Sequence, residues 1–256
     1  ALPKKAYGTI TATAQAGLFQ QLSQLSEPRK VVAPEPMEVY GQSNGLIIYE
    51  TFITGPRLET ELVIQECHDR AQVFVDGVFQ GIVERWDSSK KVKFAVPEQG
   101  AKLTIVVENM GRINYGPYLM DRKGITEGVR HGNQFLYGWT VWNLPLDNLD
   151  GLNYTTAERA VTDQAVAEQL TFYKANLVVE EQPADTFVKL SGWSKGIIWV
   201  NGFNIGRYWK VGPQQTLYIP APLLRQGDNE IVVFDIDGTE SLEIEFVDAP
   251  ILGAQE

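Results

Sequence analysis

At 256 residues, 44% hydrophobic and 21% charged, the chain is too apolar for a disordered segment and long enough for one large or two modest domains. Its 22 basic and 32 acidic side chains leave a net charge of −10 and a pI near 4.8, which argues against nucleic acid as a partner because a phosphate backbone would be repelled. A single cysteine, Cys67, and two histidines, His68 and His131, allow no intrachain disulfide and too few ligands for a zinc site, and no run is long and apolar enough to span a membrane.

The chain opens at Ala1 with neither a Met nor a basic, apolar leader. It therefore reads as processed or as a piece of a longer polypeptide, with no signal of where it resides. Residues 1–40 read as a lead-in segment and linker. They hold a strand over 7–13 and a helix over 15–25, on which Leu18, Leu22 and Leu25 share a face until Ser26-Glu27-Pro28 stops it. Pro34 and Pro36 extend the link. Beyond residue 40, short β-branched or aromatic runs such as Leu62-Val63-Ile64 and Val73-Phe74-Val75 recur between Gly, Pro, Asp and Asn, which predicts strands. A second helical turn is predicted within 156–170, where Ala, Gln and Glu are frequent.

The second half repeats the first. Residues 71–81 match residues 196–206 at an offset of 125, with Asp76-Gly77 answering Asn201-Gly202. Both pairs suit a tight hairpin of type I′, which needs positive φ at both central residues. Downstream, Val96-Pro97 answers Ile219-Pro220 and Ile105-Val106-Val107 answers Ile231-Val232-Val233. The expected fold is all-β: two jelly-roll β-sandwiches over residues 41–148 and 165–256, joined by a connector at 149–164.

Chemistry is sparse in the motifs. Glu84 with Asp87, Glu108 with Asp121, and Asp235 with Asp237 are candidate carboxylate pairs, but sequence gives no distance between them, and loop carboxylates are usually solvated. The run 147–151 lacks the oxygen spacing and closing Glu of a calcium loop, so no metal or cofactor is predicted. Asn153-Tyr154-Thr155 is a glycosylation triplet, informative only in a secretory setting. Aromatic residues are the better lead, because rings stack on the apolar faces of sugars. Two candidates emerge for carbohydrate binding: Tyr115, in a polar, Gly-rich loop after an apolar strand, and Trp193, flanking the second hairpin. Trp139, Trp142 and Trp199 read as core.

Several strings carry a resemblance. Residues 107–116 (Val-Glu-Asn-Met-Gly-Arg-Ile-Asn-Tyr-Gly), 192–196 (Gly-Trp-Ser-Lys-Gly), 199–209 (Trp-Val-Asn-Gly-Phe-Asn-Ile-Gly-Arg-Tyr-Trp) and 246–250 (Phe-Val-Asp-Ala-Pro) resemble, in order and spacing, the C-terminal part of glycoside hydrolase family 35 β-galactosidases. The resemblance covers essentially the whole chain. In that family a (β/α)₈ barrel carries two catalytic glutamates of a retaining mechanism, and two galactose-binding-like sandwiches follow it. No Asn-Glu-Tyr-Gly string, where the family keeps its acid/base, occurs here, and a barrel would need about 250 residues of its own.

What the resemblance implies is an accessory, non-catalytic pair of sandwiches that brace the barrel and complete the galactoside entrance. Tyr115 would line that entrance, with Arg112 and Asn114 shaping the loop by hydrogen bonds. The implied partners are a β-galactoside or galactose-containing glycan, the catalytic barrel, and in some members a second copy of the chain. The alternative is a free-standing galactose-binding module or lectin.

Overall fold

The computed structural model describes residues 3–157 and 169–253. It forms two compact units, a first sandwich of Leu25–Asp147 and a second of Ala1–Gln24 with Asn148–Glu256. Each joins a four-stranded to a six-stranded sheet.

The chain begins with β1 (Gly8–Thr11), β2 (Ala14–Gly17) and α1 (Leu18–Leu25). The first sandwich then follows: β3 (Arg29–Val31), a 3₁₀ turn (Met37–Tyr40), β4 (Leu46–Ile53), β5 (Arg57–His68), β6 (Arg70–Val75) and β7 (Val78–Glu84). It continues through β8 (Val92–Val96), β9 (Ala101–Glu108), β10 (Gly124–His131), β11 (Gln134–Phe135) and β12 (Trp139–Leu144). The return to the second sandwich brings β13 (Thr155–Thr156), β14 (Thr171–Val179), β15 (Thr186–Lys189) and β16 (Lys195–Val200). It ends with β17 (Phe203–Trp209), β18 (Thr216–Ile219), β19 (Gly227–Asp235) and β20 (Glu243–Val247).

In the first sandwich the sheets run β3-β12-β4-β9-β6-β7 and β11-β10-β5-β8. Alternate residues of each strand meet between them: Ile47, Tyr49 and Ile105 from one sheet pack with Ile64, Ile125 and Val129 from the other. Trp139 closes this core edge-on to Tyr49, its Nε1 donating to the Leu136 carbonyl at 2.9 Å. The second sandwich runs β13-β2-β14-β19-β16-β17 and β1-β20-β15-β18, around Tyr173, Ile198, Val233, Ile244 and Phe246.

The two copies agree in detail. Asp76 and Gly77 have φ of 49° and 79°, and Asn201 and Gly202 have 49° and 80°. Each turn residue also grips the neighbouring strand: Asp76 Oδ1 accepts the Lys102 N–H at 2.8 Å, and Asn201 Oδ1 accepts the Glu230 N–H at 3.0 Å. Each hairpin has a register shift at the same place, after Val73 and after Ile198, opposite Gly81 and Gly206.

One correspondence is permuted. Strands β4 to β10 answer β14 to β20, but the places of β11 and β12 are taken in the second sandwich by β1 and β2 from the start of the chain. Residues 3–24, read from sequence as part of a lead-in, are thus built into the second sandwich, β1 on β20 and β2 on β14. That pairing also shortens the helix: residues 15–17 join β2, and α1 starts at Leu18, because ladder bonds to β14 override helical periodicity. Linker residues 29–31 likewise form β3, on β12. The helical turn predicted within 156–170 falls mainly on 158–168, outside the described residues.

Candidate functional site

The loop between β9 and β10, residues 109–123, is the strongest candidate, because an exposed tip stands on a buried ionic base. Asp69 leaves the β5–β6 corner, Arg85 follows β7, and Asp121 and Lys123 close the loop ahead of β10. Lys123 Nζ lies 2.9 Å from both Asp69 oxygens and 2.7 Å from Asp121 Oδ2. Arg85 Nη1 lies 2.8 Å from Asp121 Oδ1 and 3.3 Å from Asp69 Oδ1. Two carboxylates are thus balanced by two cations, which is what permits their burial. Burial by itself would raise the Asp121 carboxyl, but the bonds from Arg85 and Lys123 outweigh it and hold the group below the usual carboxylate range. Asp121 in turn raises the Arg85 guanidinium.

Backbone and side-chain bonds then pin both ends of the loop. Asp69 Oδ2 accepts the Met110 N–H at 2.8 Å, Asn109 Nδ2 donates to the Ser43 carbonyl at 2.9 Å, and the Glu38 carboxylate accepts the Lys123 N–H at 3.1 Å. Arg112 spans the gap. Its Nη1 lies 2.6 Å from Glu38 Oε1, its Nη2 donates to the Ser43 carbonyl at 3.0 Å, and Nη1 also reaches the Asp121 carbonyl. Asn114 is exposed and makes no hydrogen bond to the described residues, so the structure gives it no part in shaping the loop. Between the pinned ends, Tyr115 is 89% exposed and is followed by the exposed Tyr118, Leu119 and Met120. A run of four large apolar side chains held in water on a rigid base is the signature of a surface that meets something else.

Trp193 is a correction. It is 1% exposed, its Nε1 donates to the Glu243 carbonyl at 2.7 Å, and its ring stands edge-on to Tyr173 at 5.2 Å. A ring so enclosed offers no face to a sugar. Sequence placed it beside Gly192 in a turn, but the strand that follows draws it into the sandwich.

The candidate carboxylate pairs are also spoken for. Glu84 meets Arg70 at 3.1 Å and also Lys90, Asp87 is held by Ser89, and Asp121 by the cluster above. In the second sandwich, Asp235 is buried and accepts the Tyr208 hydroxyl at 2.7 Å and the Ser194 N–H at 3.0 Å. Burial pushes its carboxyl up to about 6. No group of three His, Cys, Asp or Glu side chains among the described residues is placed to hold a metal ion. No helix among them is long and apolar enough to cross a membrane.

The role of Asp69, Arg85, Lys123 and Glu38 was missed from sequence. A lysine one residue before a Gly-Ile strand start carries no local sign that its ammonium will be buried.

A model of the first all-beta domain of beta-galactosidases matches residues 34–146, and a model of the beta-galactosidase galactose-binding domain matches residues 170–229. Beta-galactosidase 1 of Dictyostelium discoideum is 37% identical over 268 residues, which take in 96% of this chain and 40% of that protein. The Homo sapiens beta-galactosidase-1-like protein 2 is 37% identical over 269 residues, 100% of this chain and 40% of its own length. The chain therefore spans about 40% of the length of these curated relatives. A Pleurotus ostreatus lectin in its apo form aligns over 85% of this chain and 78% of its own, at 12% identity and a TM-score of 0.28, too slight a likeness to carry an argument. With two domain models of one family matched along most of its length, the chain belongs to the beta-galactosidases, of which it carries the first all-beta domain and the galactose-binding domain.

Proposed function

We propose that these sandwiches are the non-catalytic part of a β-galactosidase, bracing its catalytic domain and completing the galactoside entrance with loop 109–123. The observation that carries this reading is Tyr115, 89% exposed at the tip of a loop whose base is locked by buried ion pairs. A free, flexible tip needs no such base; a wall against which substrate must be placed does, since misplacement by about 1 Å is costly to rate. Arg112 serves as a positioning residue, because it ties the start of the loop to its end.

The 256-residue chain alone is expected to show no turnover of an aryl β-galactoside, and activity should appear when the matching catalytic domain is supplied in trans. In the assembled enzyme, Tyr115→Ala should raise KM several-fold while leaving the melting temperature unchanged. Hydrolysis by the purified chain, abolished by substituting one of its own carboxylates, would refute the proposal. A free-standing galactose-binding module is the second reading, favoured by the galactose-binding domain match at 170–229. It predicts saturable galactose binding by the chain with no catalytic domain present.

A further inference from the structure

The first sandwich carries a recess on the side of its six-stranded sheet that faces away from its core. Alternation along β4 sends Tyr49 and Ile53 inward and turns Glu50 and Phe52 outward. Pairing brings Thr140 and then Lys30 alongside Glu50, and Lys102 alongside Phe52. These residues line a cavity of about 470 Å³, within the range of small-molecule sites.

Each wall has a defined chemistry. Phe52 is 62% exposed, and its ring is seated on backbone: a Cβ at Gly100, where φ is +83°, would come within 2.4 Å of Phe52 Cζ. The missing side chain at Gly100 therefore lets the ring lie close to the chain while most of it faces the recess. Glu50 is held from two sides, with Oε1 2.6 Å from Lys102 Nζ and Oε2 accepting the Trp142 Nε1–H at 3.0 Å. The Lys30 ammonium and the Thr140 hydroxyl have no hydrogen-bond or ionic partner among the described residues.

We infer that this recess is a carbohydrate subsite that takes a pyranose ring. Phe52 receives the C–H face of the sugar. The adjacent Glu50 acceptor and Lys102 donor match a pair of neighbouring hydroxyls, and Lys30 and Thr140 supply the remaining hydrogen bonds. A purely apolar ligand would bury the Glu50–Lys102 ion pair without replacing its water, and with Glu50 already paired to Lys102 the Lys30 ammonium is left to meet a hydroxyl or a carboxylate of the sugar. The inference is independent of the entrance role of loop 109–123, because the two share no residue.

Saturation-transfer NMR titration of the protein with methyl β-galactoside, methyl β-glucoside and galacturonate tests it. At least one of the three sugars should saturate, and Phe52→Ala and Glu50→Gln should each weaken its binding roughly tenfold with the thermal melt unchanged. Tyr115→Ala should leave the titration as it is. The inference is overturned if none of the three sugars binds, or if binding survives Phe52→Ala undiminished. Loss of binding in Tyr115→Ala alone would also overturn it, by placing the sugar at the loop. A failure of Tyr115→Ala to raise KM would bear only on the entrance proposal.

Discussion

Asp235 shows how a single buried group sets a pH response. Water is excluded from it, and the bonds from Tyr208 and Ser194 only partly compensate, so its carboxyl titrates near 6 in the folded protein against an ordinary 3.8. Because the folded state holds the proton more tightly than the unfolded chain, this contribution to stability is full below about pH 4 and is lost as pH rises through 6. The loss amounts to about 3 kcal/mol, from two units at about 1.4 kcal/mol each. Urea unfolding at pH 4.5 and pH 7.5 should therefore show a fall in the wild type that Asp235→Asn largely removes. An equal fall in both proteins would show that the group does not titrate in this range. The same contrast of environments separates the two aromatic candidates. Tyr115 and Trp193 both sit near glycines in polar stretches and look alike as sequence, yet one is 89% exposed and the other 1%. Nothing within a few residues of either decides that; the strand each follows or precedes does.

Among the elements, the hairpins were the most legible. Asp76-Gly77 and Asn201-Gly202 select the turn by themselves, since few other dipeptides accept positive φ twice. What was not legible is that the same two side chains also bond the N–H groups of Lys102 and Glu230 on a neighbouring strand. Asp76→Ala and Asn201→Ala should each destabilise their own sandwich by about 1–2 kcal/mol, combining the lost hydrogen bond with the strain of a left-handed residue. Asp76→Asn, which keeps both features, should be nearly neutral in the same thermal melts. The helix gave the opposite lesson. Its leucines predicted a start at residue 15, but 15–17 pair with β14, and local periodicity carries no information about a partner strand more than 150 residues away.

For the whole molecule, the permuted correspondence makes a sharp prediction. If β1 and β2 occupy in the second sandwich the places that β11 and β12 fill in the first, removing residues 1–17 should leave the first sandwich folded and expose the second. Amide exchange should show protection kept over β4 to β10 and lost over β14 to β20; uniform loss, or none, would contradict the assignment of these strands. The strand alternation and the turn chemistry were determined by the sequence alone, because each depends on residues close together along the chain, and the repeat at an offset of 125 is the recurrence of such local patterns. Three things were decided only by tertiary structure: the recruitment of the first residues into the second sandwich, the burial of Trp193, and the cluster of Asp69, Asp121, Arg85 and Lys123 that fixes the loop. Lys123 meets Asp69 across 54 residues of sequence. Burial and ion pairing are properties of chain segments brought together, and the free energy that places a charge or a ring inside belongs to the assembled sheet rather than to the residues that precede and follow it.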